Sequence, residues 1–363
     1  MSNSGFTFFD FCAGIGAGHT ALTSLGGKCV GFSEINKKSE ITYREIHKVN
    51  KNELKNWGDL TKMHIKEAPD FDVMIGGFPC QTFSIIGQRK GMKDERGQII
   101  FSLARILKEK EVKFFLLENV KGLVNHDRGR TIAEVLKLLR GAGYKVDWKV
   151  LKSSNYGIPQ IRERVYFVGV RKDLVSDNFK FSFPTPLKNK KKLNEFLIDE
   201  DPALLFKKNN SAWNTFTHYL QNKYNIGLYD LDKLLKEDYL ILDTRQSDLR
   251  LYRNNCPTLR TGRHGLLYIK NGEIRRLSSK EGLLLQGFNI QQAESVKVAN
   301  QTDLLSQAGN AFTVNVISEL IKEMLAQMPF NKTYISNKPK LRNYGKIELN
   351  IIKSSNYGYC RQN

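Results

Sequence analysis

Short apolar runs alternate with helix-like segments through the first 170 residues, and this rhythm limits the fold more than any other feature of the chain. Phe6–Phe11, Lys28–Phe32, Phe71–Ile75 and Phe114–Leu117 read as strands. Between them His19–Leu25, Lys37–His47 and the amphipathic Ile99–Lys110 read as helices. Arg130–Arg140 reads as a further helix, and Tyr144–Leu151 and Val165–Val170 as two late strands. Strands alternating with helices predict the α/β class, with a doubly wound, mostly parallel sheet. Ligands of such sheets bind beyond the carboxyl ends of the strands.

From about Pro184 the rhythm stops. FPTPLKNKKKLNEF brings two prolines and a lysine cluster, and no βα alternation can be followed to about Leu251. A second, smaller unit is expected there, as the length of 363 residues allows. Helix returns at Ser278–Gln286 and Phe312–Leu325, and Asn331–Asn363 is a polar, basic extension. Lys and Arg number 57 against 37 Asp and Glu, a formal charge of +20. That field draws polyanions: nucleic acid first, an anionic membrane surface second. A lysine-rich proteome produces the same imbalance with no such partner. The five cysteines show no CxxC spacing, which argues against a disulfide framework and a structural zinc, so no metal is expected. No apolar run is long enough to span a membrane, and the N-terminus has no secretory pattern. A cytoplasmic setting follows as an expectation.

Candidate chemistry gathers where strands end. In FDFCAGIGAGHTAL, Gly14, Gly16 and Gly18 follow a strand and precede a helix. Glycines there allow close backbone approach and positive φ. The G-x-G-x-G spacing is not that of dinucleotide sites, so a nucleotide-type cofactor and a plain tight turn both stand. Glu34 ends the next strand, where a carboxylate binds ribose hydroxyls or is merely solvated. Asp59 in WGDL can accept from an adenine amine or close a turn. Cys80 in GGFPCQTFS lies at the same edge, after Pro79, which rigidifies the approach. Its thiolate is a nucleophile and a leaving group; an inert buried thiol is the other reading. Glu118 in LLENVKGL emerges from an apolar run, where burial raises a carboxyl pKa; it can instead cap a turn. Asn119 can orient the loop through its amide. Arg162 and Arg164 are two apart, so in extended chain they share a side and can hold a phosphate or a carbonyl oxygen, or form a plain surface pair.

The order of these elements carries more than any one of them. FxFCAGIGAG, SEIN, GDL, GGFPCQTFSIIGQRKG, ENVKGL, NYGIPQIRERVYFVG, RRLSSKEGLLLQGF and QAGNAFTVNVISEL resemble the C5-cytosine DNA methyltransferase family of bacterial, restriction-modification type. The likeness spans roughly residues 6–170 and 255–325. It implies a Rossmann-like catalytic domain over 1–183, a target-recognition domain over 184–300, a returning C-terminal helix over 301–330 and a basic extension over 331–363. It also implies S-adenosyl-L-methionine as cofactor, leaving as S-adenosyl-L-homocysteine. The cofactor contacts carried over are Phe11, Cys12, Ala13, Gly14, Ile15 and Gly16 in the loop, Glu34 and Ile35, Asp59 and Leu60, Pro79, and Asn310 and Ala311. In the implied chemistry Cys80 adds to C6 of a cytosine, Glu118 holds N3 and supplies its proton, and Arg164 holds O2, with Arg162 in the same set. The cytosine must be flipped from the duplex. Cys12 stands where the family commonly has Phe, Ala17 where many members have Gly, and Ile86 where a small polar residue is usual.

The variable block between QIRER and LSSKEG implies one recognition sequence. CPTLRTGRHG resembles the element that ends such segments, so Thr258 is expected on DNA backbone and Arg260, Arg263 and His264 on bases or phosphates. A solvated loop is the alternative. Gln81 and Ser84 are the remaining DNA contacts implied, and Lys188–Lys192 suits phosphates, which position without specifying. The expected partner is double-stranded DNA, bound by a monomer, in the company of a cognate restriction endonuclease or alone. Two rivals are an RNA (tRNA) cytosine methyltransferase with the same catalytic set and a non-catalytic DNA-binding relative; retention of Cys80, Pro79 and Glu118 argues against the second. A nicotinamide dehydrogenase would leave PCQ, ENV and QIRER unexplained.

Overall fold

Six strands form the central sheet of the computed structural model, which describes residues 5–79, 98–208, 211–221, 229–246, 248–262 and 265–329. Cys80, Gln81, Ser84, Ile86, Arg263, His264 and the 331–363 extension lie outside the described residues. In chain order the first half runs β1 (Thr7–Phe11), α1 (Ala17–Thr23), β2 (Lys28–Ser33), α2 (Lys37–His47), β3 (Val73–Gly77), α3 (Gln98–Glu109), β4 (Phe114–Val120), α4 (Arg130–Gly141), β5 (Tyr144–Lys152), β6 (Gln160–Ile161) and β7 (Glu163–Arg171). The sheet order is β2-β1-β3-β4-β7-β5. Strands β2, β1, β3 and β4 are mutually parallel. β7 runs against both β4 and β5, a reversal that apolar runs alone do not disclose.

The strands are buried on both faces, as a doubly wound sheet requires, and their residues alternate between two cores. Phe8, Val73, Ile75, Phe114 and Leu116 face one; Phe9, Phe11, Met74, Phe115 and Leu117 face the other. Order reverses between β1 and β3, so the crevice beyond their carboxyl ends is the natural ligand position. β4 extends to Val120. Glu118, expected after that strand, is therefore inside it and paired in register with Gly77.

The second half runs α5 (Ser211–Leu220), α6 (Leu231–Leu234), β8 (Ile241–Asp243), β9 (Arg250–Tyr252), β10 (Cys256–Pro257), β11 (Leu266–Lys270), β12 (Glu273–Arg276), α7 (Ser279–Leu284), α8 (Ile290–Ser295), α9 (Gln301–Asn310) and α10 (Val314–Gln327). β12, β11, β8 and β9 make a small antiparallel sheet with its own core of Phe206, Phe216, Leu242, Leu267 and Ile269. Residues 279–300, expected with this unit, contact both it and the large sheet: Tyr268 Oη donates to Glu281 Oε1 (2.9 Å). Leu283, Leu285, Phe288 and Ala293 join the core that holds Phe8 and Ile15, and Gln292 Nε2 donates to Thr20 Oγ1 (3.0 Å). α10 buries Val316, Ile317, Leu320, Ile321 and Met324, at helical spacing, against α1. Each such burial contributes about 1.5–3 kcal/mol.

The glycine loop rests on a buried imidazole pair. Gly16 is left-handed (φ 82°) at the start of α1. A Cβ there would lie 2.2 Å from His47 Nε2. His47 stacks on His19 at 3.9 Å, and His19 Nδ1 lies 2.7 Å from Tyr43 Oη in hydrogen-bond contact. Burial pushes the His19 pKa down to about 4, so the pair is neutral near pH 7. Gly16→Ala therefore meets both backbone strain and a clash. It should destabilise the chain by about 1–3 kcal/mol, read as a lower urea midpoint; an unchanged midpoint would show that the loop is not built this way.

Candidate active site

A cavity of about 530 Å³ opens beyond the carboxyl ends of β1 to β4. Its wall begins at the glycine loop. Cys12 is left-handed (φ 50°), an uncommon conformation for a residue with a side chain and one that concentrates at functional sites. Ala13 N–H donates to the Ser33 carbonyl (3.0 Å), so the loop leans on the end of β2. Glu34 is fixed there by backbone amides: Gly14 N–H donates to Oε2 (2.8 Å) and Asn36 N–H to Oε1 (2.7 Å). Burial raises the Glu34 pKa, while the amides of Asn36, Gly14 and Ile35 oppose that rise. Beside it Ile35 is 71% exposed, an apolar side chain on the cavity wall. Asp59 lines the next stretch and accepts from Thr61 N–H (2.9 Å) and Thr61 Oγ1 (2.7 Å). Burial would raise its pKa, but the Thr61 and Lys62 contacts outweigh it and the carboxyl sits below its usual range.

The opposite wall is built by the ends of β3 and β4, with β7 behind β4. Gly77, Phe78 and Pro79 reach the cavity where β3 ends, and Glu118 reaches it from β4. Asn119 Nδ2 donates to the Phe78 carbonyl (2.6 Å), and its Oδ1 accepts from Val120 N–H (2.8 Å). The amide thus orients the chain two residues before Cys80, as expected. Glu118 is buried, with Arg164 Nε 3.1 Å and an Arg162 terminal nitrogen 4.0 Å from Oε1. That oxygen accepts no well-directed hydrogen bond among the described residues. Burial raises the Glu118 pKa and outweighs the opposing pull of Arg164 and Arg162.

Several expected contacts are redistributed. Cys12, Gly14, Glu34, Ile35, Asp59, Leu60, Pro79 and Asn310 line the cavity. Phe11 does not: it is fully buried and stacks on Phe9 at 4.4 Å, because the strand's alternation turns it into the core. Ala13 packs with Phe32 and Tyr43, and Ile15 sits in the core beneath α1. Gly16 faces His47 rather than the cavity. Ala311 is buried and serves through its carbonyl, which accepts from Arg162 (2.8 Å). Arg162 also donates to the Gly309 carbonyl (3.0 Å). It is a buried brace rather than an open guanidinium, and burial together with Arg164 pushes its pKa down to about 10. Arg164 alone of the pair sits close against the carboxyl. Thr258, expected on DNA, gives its hydroxyl to the Ile161 carbonyl (2.6 Å). Arg260 is exposed. Sequence reasoning missed Ser33, Phe78, Gln307 and Phe312 as cavity residues. The first two lie next to expected contacts at strand ends; the others are disclosed only by the return of α9 and α10.

The sheet, the cavity at its switch point and the carboxyl–guanidinium cluster beside it define a group-transfer enzyme of the doubly wound methyltransferase kind. A family model described as C-5 cytosine-specific DNA methylase matches residues 6–326. The chain belongs to this family and is a DNA cytosine-5 methyltransferase. It is 32% identical over 356 residues to the type II methyltransferase M.DsaV of Dactylococcopsis salina, covering 97% of this chain and 93% of that protein. It is 41% identical over 196 residues to the type II methyltransferase M.HhaI of Haemophilus parahaemolyticus, covering 54% and 57%. Its fold is shared with a crystal structure of a Spodoptera frugiperda DNMT2 mutant (TM-score 0.64, 18% identity, covering 88% of this chain and 99% of that one). Methyltransferases of this kind depend in general on S-adenosyl-L-methionine. Among the described residues no helix is long and apolar enough to cross a membrane.

The Asn119 bond yields a direct test. Asn119→Ala leaves the Phe78 carbonyl and Val120 N–H without their partner, an unsatisfied-group cost of about 1–3 kcal/mol. Chemical denaturation should show that loss, together with reduced methyl transfer; a variant with full stability and full activity would contradict the assigned role.

Proposed function

We propose that the cavity holds S-adenosyl-L-methionine and that Cys80, Glu118 and Arg164 act on a cytosine flipped from double-stranded DNA. The observation that carries this reading is the buried, raised-pKa carboxyl of Glu118, facing the cavity that Pro79 also lines. The donor set suits the cofactor. Glu34, held by loop amides, offers acceptors to ribose hydroxyls, Asp59 an acceptor to the adenine amine, and exposed Ile35 an apolar face to the ring. Asn310 and Gln307 offer amides to the amino-acid end. When bound, the cofactor supplies an electrophilic methyl group.

The chain's own residues do the rest. The Cys80 thiolate attacks C6, forming an S–C bond as the C5–C6 double bond opens toward C5. Glu118 gives its proton to N3, which makes C6 electrophilic. Arg164 holds O2. C5 takes the methyl group; a base then removes the C5 proton, the double bond re-forms as the thiolate leaves, and N3 returns its proton to Glu118. The relatives' type II names also favour a cognate restriction endonuclease as functional partner.

Cys80→Ser should abolish methyl transfer while leaving duplex binding largely intact, and 5-fluorocytosine at the target should trap a covalent adduct with the native protein. Bisulfite sequencing of DNA from expressing cells locates that target. Full turnover by the serine variant, or an active enzyme that forms no adduct, would overturn the mechanism. Glu118→Gln should lower kcat by about 10²–10⁴-fold, the usual worth of a positioned acid. Because the Glu118 pKa is raised, its acid form persists above the ordinary carboxyl range and is lost as pH rises through the shifted pKa. The native profile should fall on its alkaline side, and the glutamine variant should lack that limb.

A further inference from the structure

The segment from Thr258 to Gly262 plays no part in the chemistry above, yet it is fastened to both halves of the site. At its start the Thr258 hydroxyl is bonded to Ile161, next to Arg162. At its end Thr261 Oγ1 donates to Asn310 Oδ1 (2.5 Å) and lies 3.3 Å from the Ser306 carbonyl. Gly262 N–H donates to Ser306 Oγ at 3.4 Å. A Cβ on Gly309 would stand 2.8 Å from Arg260 C and 2.9 Å from Thr261 N, so the two backbones touch and no side chain fits between them. Arg162 grips the carbonyls on either side of Asn310. The backbone of Asn310 is therefore held from the catalytic strand, and its side chain is held by Thr261.

We propose that Thr261 is a positioning residue that couples DNA engagement to cofactor affinity. The proposal rests on reading the cavity as the S-adenosyl-L-methionine site. Thr261 and Asn310 are both exposed, so their hydrogen bond competes with water and is worth little until a partner anchors this end of the segment. The segment carries exposed Arg260, a cation able to meet a phosphate or a guanine edge. A duplex that anchors Arg260 removes freedom from the segment. The Thr261–Asn310 bond is then made at lower entropic cost, and the Asn310 amide is ordered before the cofactor arrives. Coupling of this kind is reciprocal: DNA tightens the cofactor by the factor by which the cofactor tightens DNA.

The test is calorimetric titration of the full chain with S-adenosyl-L-homocysteine, with and without a duplex carrying the target located by bisulfite sequencing. The native protein should bind the homocysteine form at least about fivefold more tightly with the duplex present. Thr261→Val keeps the branched shape and loses the hydroxyl; its coupling should fall below about twofold, with duplex affinity in the absence of cofactor unchanged. Thr261→Ser should restore the coupling. Full coupling in the valine variant overturns the proposal, as does its absence in the native protein or in the serine variant. A native protein that binds the duplex but never binds the homocysteine form refutes the cavity reading itself, and the coupling with it.

Discussion

The bond from the Asn119 amide to the Phe78 carbonyl anchors the catalytic arrangement. β3 and β4 are paired in parallel, with Gly77 opposite Glu118, so the chain leaves the sheet beside that carboxyl. Backbone pairing ends there: the last link, from Phe78 N–H to the Glu118 carbonyl, is a long 3.4 Å. The buried side-chain amide takes over where the ladder stops. An unpaired carbonyl in that low-dielectric setting would be costly, and this holds the exit point of the loop in place. Pro79 then fixes φ at the next residue.

The two walls of the cavity answer to different physics. On the β1–β2 side the ligands are backbone amides and carboxylates oriented by them, and the glycines and left-handed Cys12 let the chain turn tightly enough to present them. On the β4–β7 side the groups are ionisable and buried, and burial raises the Glu118 pKa while Arg162 stays a charged brace. α9 and α10 join the walls. Phe312 lies against Gly77, where an added Cβ would come within 3.1 Å of its ring. Gln286 Nε2 donates to the Ala308 carbonyl (2.7 Å) and Thr313 Oγ1 pairs with Ser153 Oγ (2.8 Å). These buried polar contacts fix the C-terminal turn that carries Asn310.

Much of this was legible in the sequence because it depends on local pattern. Strand-length apolar runs gave the sheet and, at their ends, Glu34 and Glu118; Pro79 was legible in GGFPCQTFS and Asp59 in WGDL. Phe11, Ala13 and Ile15 turn their side chains into the cores rather than the cavity, because a family motif mixes residues that face the ligand with residues that carry them. The face on which each lies depends on strand alternation and on where α1 begins. Arg162 and Arg164 have equal spacing and equal charge in sequence. What separates them is the return of residues 309–311, a contact almost 150 positions away. The small antiparallel sheet escaped notice because its strands are three to five residues long, too short for a period to show.

The division between the two arginines bears on how Glu118 can act as an acid. Burial favours its neutral form, and the adjacent guanidiniums favour its charged form. Burial prevails, so the acid form of Glu118 is favoured relative to an ordinary carboxyl. On the proposed mechanism, the carboxylate left after proton transfer to N3 faces Arg164 Nε at 3.1 Å, so its charge forms beside a cation with little reorganisation. A second guanidinium as close as Arg164 would favour the carboxylate further. Directing Arg162 to the backbone of α9 and its exit, with its nearest nitrogen 4.0 Å from the carboxyl, weakens one of the two attractions. The same brace that holds the backbone around Asn310 therefore also favours the acid form of Glu118.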